Sequence, residues 1–231
     1  MDLMTTPPKN SQKIWGYEDF FPYHEFRPNQ ENAVQQMIEA VALQKNTILI
    51  ATNGTGKTIM ALSSVLPVAK SFNKKIIFLA RTYTQNERVI QESKEIINYF
   101  ANNQINETIG AISLRGRNEM CIHKTIQRLN LPPRDSMSVC LNLRKNKNCK
   151  FFSNLTTRKN KEVIKELIED LASTPLSSTE LIDIAENEGL CPYFMSKMLI
   201  KYVDIVVCNY QWIFNPPIRD VLLQFLECGL S

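Results

Sequence analysis

The chain mixes two hydrophobic patterns. In one, apolar residues form short unbroken runs; in the other, they recur every three to four positions. The runs lie at 47–50 (Thr-Ile-Leu-Ile), 75–80 (Lys-Ile-Ile-Phe-Leu-Ala), 109–114 and 204–208 (Asp-Ile-Val-Val-Cys). Their length and branched side chains predict short strands buried on both faces. The recurring stripes predict helices. Ala33, Val34, Met37, Ile38, Val41 and Ala42 mark one over 30–43, with Asn29 as its N-cap. Others are predicted over 57–71, where Pro67 bends the last turns, and over 85–102, with Val89, Ile96, Ile97 and Phe100 inward. The same period runs through 161–171, through 178–188 with Ser178 or Thr179 as cap, from Cys191-Pro192 to Tyr202, and through 218–227. Strand, helix and strand at this spacing predict a right-handed parallel crossover, and so an α/β fold built on a parallel sheet.

Two segments lack either period. Residues 1–20 read as a loose arm with an aromatic patch, Trp15, Tyr17, Phe20 and Phe21. Residues 115–161 also lack a period, and here charge changes the picture. That stretch holds 12 Lys and Arg against two acids, Glu119 and Asp135. From 162 to 191 the sign reverses, with eight acids against Lys165 alone. A net charge of +4 over 231 residues hides this asymmetry. Apolar content of 44% and charged content of 22% are ordinary for a globular protein. No apolar run approaches the roughly 20 residues of a membrane span. The first 13 residues are polar and lack the apolar core of a signal peptide. Six cysteines are then expected in a reducing compartment, as metal ligands or core residues rather than disulfides.

The chain's candidate chemistry begins behind the first apolar run, at Ala51, Thr52, Asn53, Gly54, Thr55, Gly56, Lys57 and Thr58. A strand, a glycine turn and a helix in that order make a phosphate-binding loop. Gly54 and Gly56 let the backbone curl so that successive N–H groups face phosphate oxygens. The helix N-terminus adds its positive end. Lys57 supplies a cation for the outer phosphates of ATP, and Thr58 a hydroxyl for Mg2+; these two are the candidate catalytic residues. Arg27 and Gln30 precede the loop, where a base could lie, although by themselves a surface turn and a helix cap account for them better. Arg81, Thr82 and Gln85 follow the second run, at the carboxyl end of a strand, where open parallel sheets place ligand-binding groups.

Cys121, Cys140, Cys149 and Cys191 are separated by 18, 8 and 41 residues. Zinc ribbons carry tight C-x2-C pairs, and none occurs here. Four spread thiolates suit a larger iron–sulfur cluster. Zinc and four unrelated core thiols remain the alternatives. Cys208 and Cys228 read as core or incidental, and His24 and His123 are not spaced as a metal pair. The basic strip between these cysteines fits a phosphodiester backbone, so a nucleic acid is the expected partner.

Taken together, these residues resemble the XPD/Rad3-like DNA helicases of superfamily 2. The matching pieces are Arg-Pro-x-Gln at 27–30, the Ala51-to-Thr58 loop, Leu-Ala-Arg-Thr-x-x-Gln at 79–85, Ser-Leu-x-x-Arg at 113–117 leading into Cys121, and the four-cysteine set. Tyr83 stands where the family has His. The resemblance implies a RecA-like P-loop lobe over 1–114, an iron–sulfur insert over 115–195, and a return to the lobe over 196–231. It implies adenine contacts from Arg27 and Gln30, a 4Fe–4S cluster on Cys121, Cys140, Cys149 and Cys191, and DNA contacts from Arg81, Thr82, Gln85 and Arg117. It implies ATP-driven 5′-to-3′ unwinding of forked DNA by a monomer, in nucleotide-excision repair. No Asp-Glu pair occurs in the chain, so an N-terminal portion ending before the family's D-E-A-H strand is expected. Such a portion alone is expected to be inactive. An archaeal origin is favoured, which implies a cytoplasmic protein; a eukaryotic one would be nuclear. DinG-like or FancJ-like helicases, a P-loop kinase with a zinc insert, and a non-catalytic cluster-bearing DNA-binding module are the other readings.

Overall fold

A computed structural model of the chain describes residues 15–157 and 160–227. Residues 1–14 of the expected arm, Arg158 and Lys159 of the basic strip, and Cys228 lie outside the described residues. The chain forms two compact units. One comprises residues up to Ile76 together with Gln91–Glu107; the other comprises Ile77–Ile90 and the residues from Thr108 onward.

The first unit is helical. A single 3-10 turn, Glu18–Phe20, precedes α1 (Gln30–Ala42) and α2 (Lys57–Ser71), and both the turn and α1 pack on α2. The second half of α3 (Tyr83–Asn102) belongs here too. Phe20, Val34, Leu62, Leu66, Ile96 and Phe100 are buried together in its interior. Residues 15–20 are therefore not the loose arm expected. Phe20 meets Phe100 edge-on at 5.6 Å, Trp15 stacks on Phe100 at 6.4 Å, and Ser63 Oγ donates to the Phe20 carbonyl at 2.9 Å. Asn29 is not a side-chain cap: it sits in the left-handed region at φ 63°, and the Gln30 carboxamide accepts from the Arg27 N–H at 3.0 Å instead.

The strand expected at 47–50 is absent. The run pairs with no other strand among the described residues, and Ile48 and Ile50 are 87% and 92% exposed. Branched apolar residues favour an extended backbone, but a strand exists only through its neighbours. The crossover expected to start from this run consequently has no first strand.

The second unit carries the parallel sheet, in the order β1 (Ile76–Ala80), β4 (Ile205–Asn209), β2 (Ala111–Ser113), β3 (Pro175–Leu176). β2 runs parallel to both of its neighbours, with Ile112 opposite Val206 on one side and Leu176 on the other. Strands buried on both faces read as unbroken apolar runs, which is why β2 and β4 were foreseen; β1 has an equally continuous run but is half-buried from Ile76 to Leu79. β2 enters the sheet at Gly110, whose carbonyl accepts from the N–H groups of Asp204 and Ile205 at 2.9 Å each. A Cβ at Gly110 would overlap the carbonyl oxygen of Ala172. The stretch without a period is helical: α4 (Arg117–Met120), α5 (Lys124–Leu129), α6 (Pro133–Lys145) and α7 (Lys150–Thr156). α8 (Lys161–Leu171), α9 (Ser178–Asn187) and α10 (Pro192–Leu199) follow, α10 packing on α4, α8 and α9. Ser177, one residue before the expected caps, closes a capping box with Glu180 over α9. α11 (Gln211–Phe214) and α12 (Pro216–Glu227) complete the unit.

Candidate functional site

In the first unit, the loop before α2 has the backbone a phosphate cradle needs. Gly54 and Gly56 adopt φ 83° and 77°, the left-handed region that glycine enters without steric cost. The turn aims the chain so that Lys57 opens a 15-residue helix. The Lys57 ammonium donates to the carbonyls of Ala51 at 3.0 Å and Thr52 at 2.6 Å, folding back over its own loop. The Thr55 hydroxyl bonds the Thr52 carbonyl at 3.0 Å. Asn53 is exposed and Thr58 half-buried. Arg27 and Gln30 reach this same loop: an Arg27 Nη donates to the Gly54 carbonyl, and Gln30 Nε2 to the Thr55 carbonyl at 3.3 Å. Gln30 also fills the space behind Gly56, where a Cβ would come within 2.7 Å of its Nε2. These two residues brace the loop from outside, a role that their position before the loop did not reveal.

In the second unit, Arg81 and Thr82 stand exposed beyond β1. Gln85 Oε1 accepts from the N–H groups of Arg81 at 2.9 Å and Thr82 at 3.3 Å, and Thr82 Oγ1 accepts from the Gln85 N–H at 3.3 Å. Thr82 and Gln85 thus cap α3 reciprocally and hold Arg81 outward.

The four cysteines of the insert sit at helix ends or inside a helix. Cys121 closes α4, Cys140 lies within α6, Cys149 caps the start of α7 and Cys191 the start of α10. Burial raises the Cys121 thiol and pushes the Cys191 thiol up to about 11; Cys121 also feels the charge of Cys140 and Cys149, and Cys191 that of all three others. Among the described residues no three His, Cys, Asp or Glu side chains are gathered as they would be around a single metal ion. His123 is otherwise engaged: its Nδ1 accepts from the Thr125 N–H at 3.3 Å, and its Nε2 lies 3.3 Å from the Asn148 carbonyl. Cys208 is buried within β4, its thiol pushed up to about 12 by burial.

Beside the cysteines, cations alternate with aromatic rings. Arg117 donates to Cys140 Sγ at 3.5 Å and lies 4.5 Å above the Tyr193 ring and 5.5 Å above Phe194. Arg144 lies 4.9 Å from both Phe152 and Phe194. Lys197 is the feature sequence reasoning missed. It is 3% exposed, its ammonium has no hydrogen-bond partner among the described residues, and it sits 4.8 Å from Tyr193, 5.7 Å from Trp212 and 4.2 Å from Phe225. Burial, and then the nearby Arg117 charge, push it down to about 7. These groups line a cavity of about 730 Å³, with Tyr83, Arg117, Arg144, Phe194, Lys197 and Trp212 on its walls. No sequence signal pointed to it: the segment from Cys191-Pro192 to Tyr202 read only as a helix.

Comparison with known proteins fits this organisation. The chain is 25% identical over 88% of its length to the general transcription and DNA repair factor IIH helicase subunit XPD of Dictyostelium discoideum. It is 25% identical over 93% of its length to the subunit of the same name from Arabidopsis thaliana. To the regulator of telomere elongation helicase 1 homolog of Anopheles gambiae it is 23% identical over 86% of its length. The chain spans 26%, 29% and 23% of these relatives. No helix among its described residues is long and apolar enough to cross a membrane. The DEAD_2 family model matches residues 78–227, which take in the end of β1, the other three strands, the four insert cysteines and the cation–aromatic cavity, and the chain belongs to that family.

Proposed function

We propose that the chain is the N-terminal part of an ATP-dependent DNA helicase of the XPD type. It takes ATP and Mg2+ at Ala51 to Thr58, with Lys57 on the outer phosphates and Thr58 on the metal. The observation that carries this is the loop itself: two left-handed glycines followed at once by a lysine and a threonine at the start of a long helix. Lys57 bridges two loop carbonyls, contacts that a triphosphate would replace. Membership of the DEAD_2 family and relatives named as helicases support the same reading.

Cys121, Cys140, Cys149 and Cys191 would hold a 4Fe–4S cluster. The charges of Cys121, Cys140 and Cys149 reach Cys191 without the four closing on a point, and burial holds the Cys191 proton on, so a bound cluster would have to displace it. When bound, such a cluster supplies a one-electron centre and a cross-link among the short insert helices. A single DNA strand, entered in the 5′-to-3′ sense during excision repair, would run over Arg81 and into the cavity beside Arg117. There, rings stack bases and the buried cations meet phosphate. Thr82 and Gln85 would offer the strand the outward edge of their cap. The protein would act as a monomer, in the cytoplasm of a prokaryote or the nucleus of a eukaryote.

The test is anaerobic purification followed by iron and zinc counts, then unwinding assays on forked duplexes. Cys149→Ser should lose iron and Cys208→Ser should keep it; equal loss from both would overturn the ligand set, and zinc without iron would replace the cluster. The 231-residue chain should show no DNA-stimulated ATP hydrolysis. The protein extended through a D-E-A-H strand and a second lobe should show both hydrolysis and 5′-to-3′ unwinding, because an arginine finger alone is worth on the order of 10³–10⁵ in rate. Turnover by the 231 residues would mean that another carboxylate serves the metal.

A further inference from the structure

Tyr83 stands apart from the residues assigned so far. It is the first residue of α3, directly after Arg81 and Thr82, and its side chain is directed toward the cysteine-bearing insert. Its hydroxyl donates to Glu119 Oε2 at 2.6 Å. Glu119 belongs to α4, the same four-residue helix that carries Arg117, and Cys121 follows that helix directly. The same carboxylate oxygen accepts from the Gly116 N–H at 3.2 Å, closing the N-terminus of α4. Arg115 stacks over the Tyr83 ring at 4.7 Å and pairs with Glu87 at 3.5 Å, one turn further along α3. Ser178, at the start of α9, donates to the same Glu87 oxygen at 3.3 Å. Three elements far apart in sequence therefore meet at one tyrosine and two carboxylates.

We propose that Tyr83 is a positioning residue. Through Glu119 it fixes the Arg81–Gln85 loop to the α4 turn, so that a strand gripped at Arg81 is aligned with Arg117 beside the cysteines. The proposal rests on the reading of these loops as a single-stranded DNA path. The physical reason is that Arg81 is exposed and long, and binding it in one direction costs rotamer entropy unless its backbone is held. The capping of α3 by Thr82 and Gln85 fixes the loop to its own helix. The Tyr83–Glu119 bond fixes that helix end to α4. A neutral hydroxyl on a carboxylate is a charge-assisted bond, stronger than a neutral pair. Burial and Glu119 push the Tyr83 hydroxyl up to about 12, so it stays a donor throughout the physiological range.

The experiment uses the full-length protein, purified with its iron, and a fluorescent oligothymidine strand. Tyr83→Phe keeps the ring under Arg115 and removes only the donor; it should weaken binding about five- to tenfold, the size of a coupled polar contact. Glu119→Ala should weaken binding similarly, and Tyr83→Phe with Glu119→Ala should be no worse than either alone. Glu119→Gln keeps an acceptor oxygen and should restore binding to within about twofold of wild type, which loss of general folding would not allow. Iron content and nucleotide affinity should stay unchanged throughout. Additive effects of the two single variants, or a Tyr83→Phe variant that binds like wild type while Arg81→Ala does not, would overturn the positioning role. If Arg81→Ala also binds like wild type, the DNA path itself is wrong and the positioning role falls with it.

Discussion

The loop at 51–58 and the cavity beside Arg117 make their chemistry in opposite ways. In the loop the working parts are backbone: left-handed glycines and a helix end, all within eight consecutive residues. In the cavity they are side chains delivered from α3, α4, α6, α10, α11 and α12, as far apart in sequence as Tyr83 and Phe225. A backbone site depends on φ and ψ and tolerates exchange at its exposed positions, such as Asn53. A side-chain site depends on burial, and its energy is dominated by what desolvation does to cations. The loop is therefore open to water at Thr52, Asn53 and Gly54, whereas the cavity is organised before any ligand arrives.

If that contrast is right, the largest effect belongs to the one side chain on which the backbone site relies. Lys57→Ala should lower ATP affinity by on the order of a hundredfold or more, read by calorimetry, since charge-assisted bonds to phosphate have no backbone substitute. An affinity within a few-fold of wild type would show that the N–H groups suffice. The second unit has a backbone-limited point of its own at Gly110. Gly110→Ala should cost about 2–3 kcal/mol in urea denaturation, because the Ala172 carbonyl cannot move aside without breaking the entry to β2. A midpoint unchanged from wild type would show that the sheet yields there. The smallest effect concerns Lys197. Its pKa falls from the ordinary lysine value of 10.5 to about 7 on folding. Between these values the unfolded chain holds a proton that the folded chain lacks, so stability rises with pH across that window and the cost is fully present below it. Lys197→Met should therefore stabilise the protein by about 1–2 kcal/mol near pH 7, less than full desolvation because three rings offset part of the charge. The gain should vanish toward pH 10.5; a gain independent of pH would mean packing, not charge, is responsible.

What could be read in advance follows the same division. Ala51 to Thr58 were legible because neighbours in sequence are neighbours in the loop. β2 and β4 were legible because burial on both faces leaves unbroken apolar runs, and β1 because its run is as continuous although only half-buried. β3 was not: Pro175 and Leu176 are a strand only because β2 lies beside them. The helices α4 to α7 escaped because three of them are seven residues or shorter, too brief for a stripe, and the buried face of α6 carries Ser136 and Cys140 rather than aliphatics. Lys197 escaped because no periodicity distinguishes a lysine that faces a cavity from one that faces water. The run at 47–50 failed in the other sense: its composition was right for a strand, and the partners were missing.

That run also sets how the polypeptide behaves as a material. Ile48 and Ile50 expose apolar side chains, and the N–H and C=O groups of this run join no sheet among the described residues. Unpaired backbone of that kind can template another copy of itself, and neither charge nor proline interrupts it between Thr47 and Ile50. The 231-residue polypeptide is therefore expected to self-associate as its concentration rises, and light scattering that stays monomeric across a dilution series would show that the run is covered.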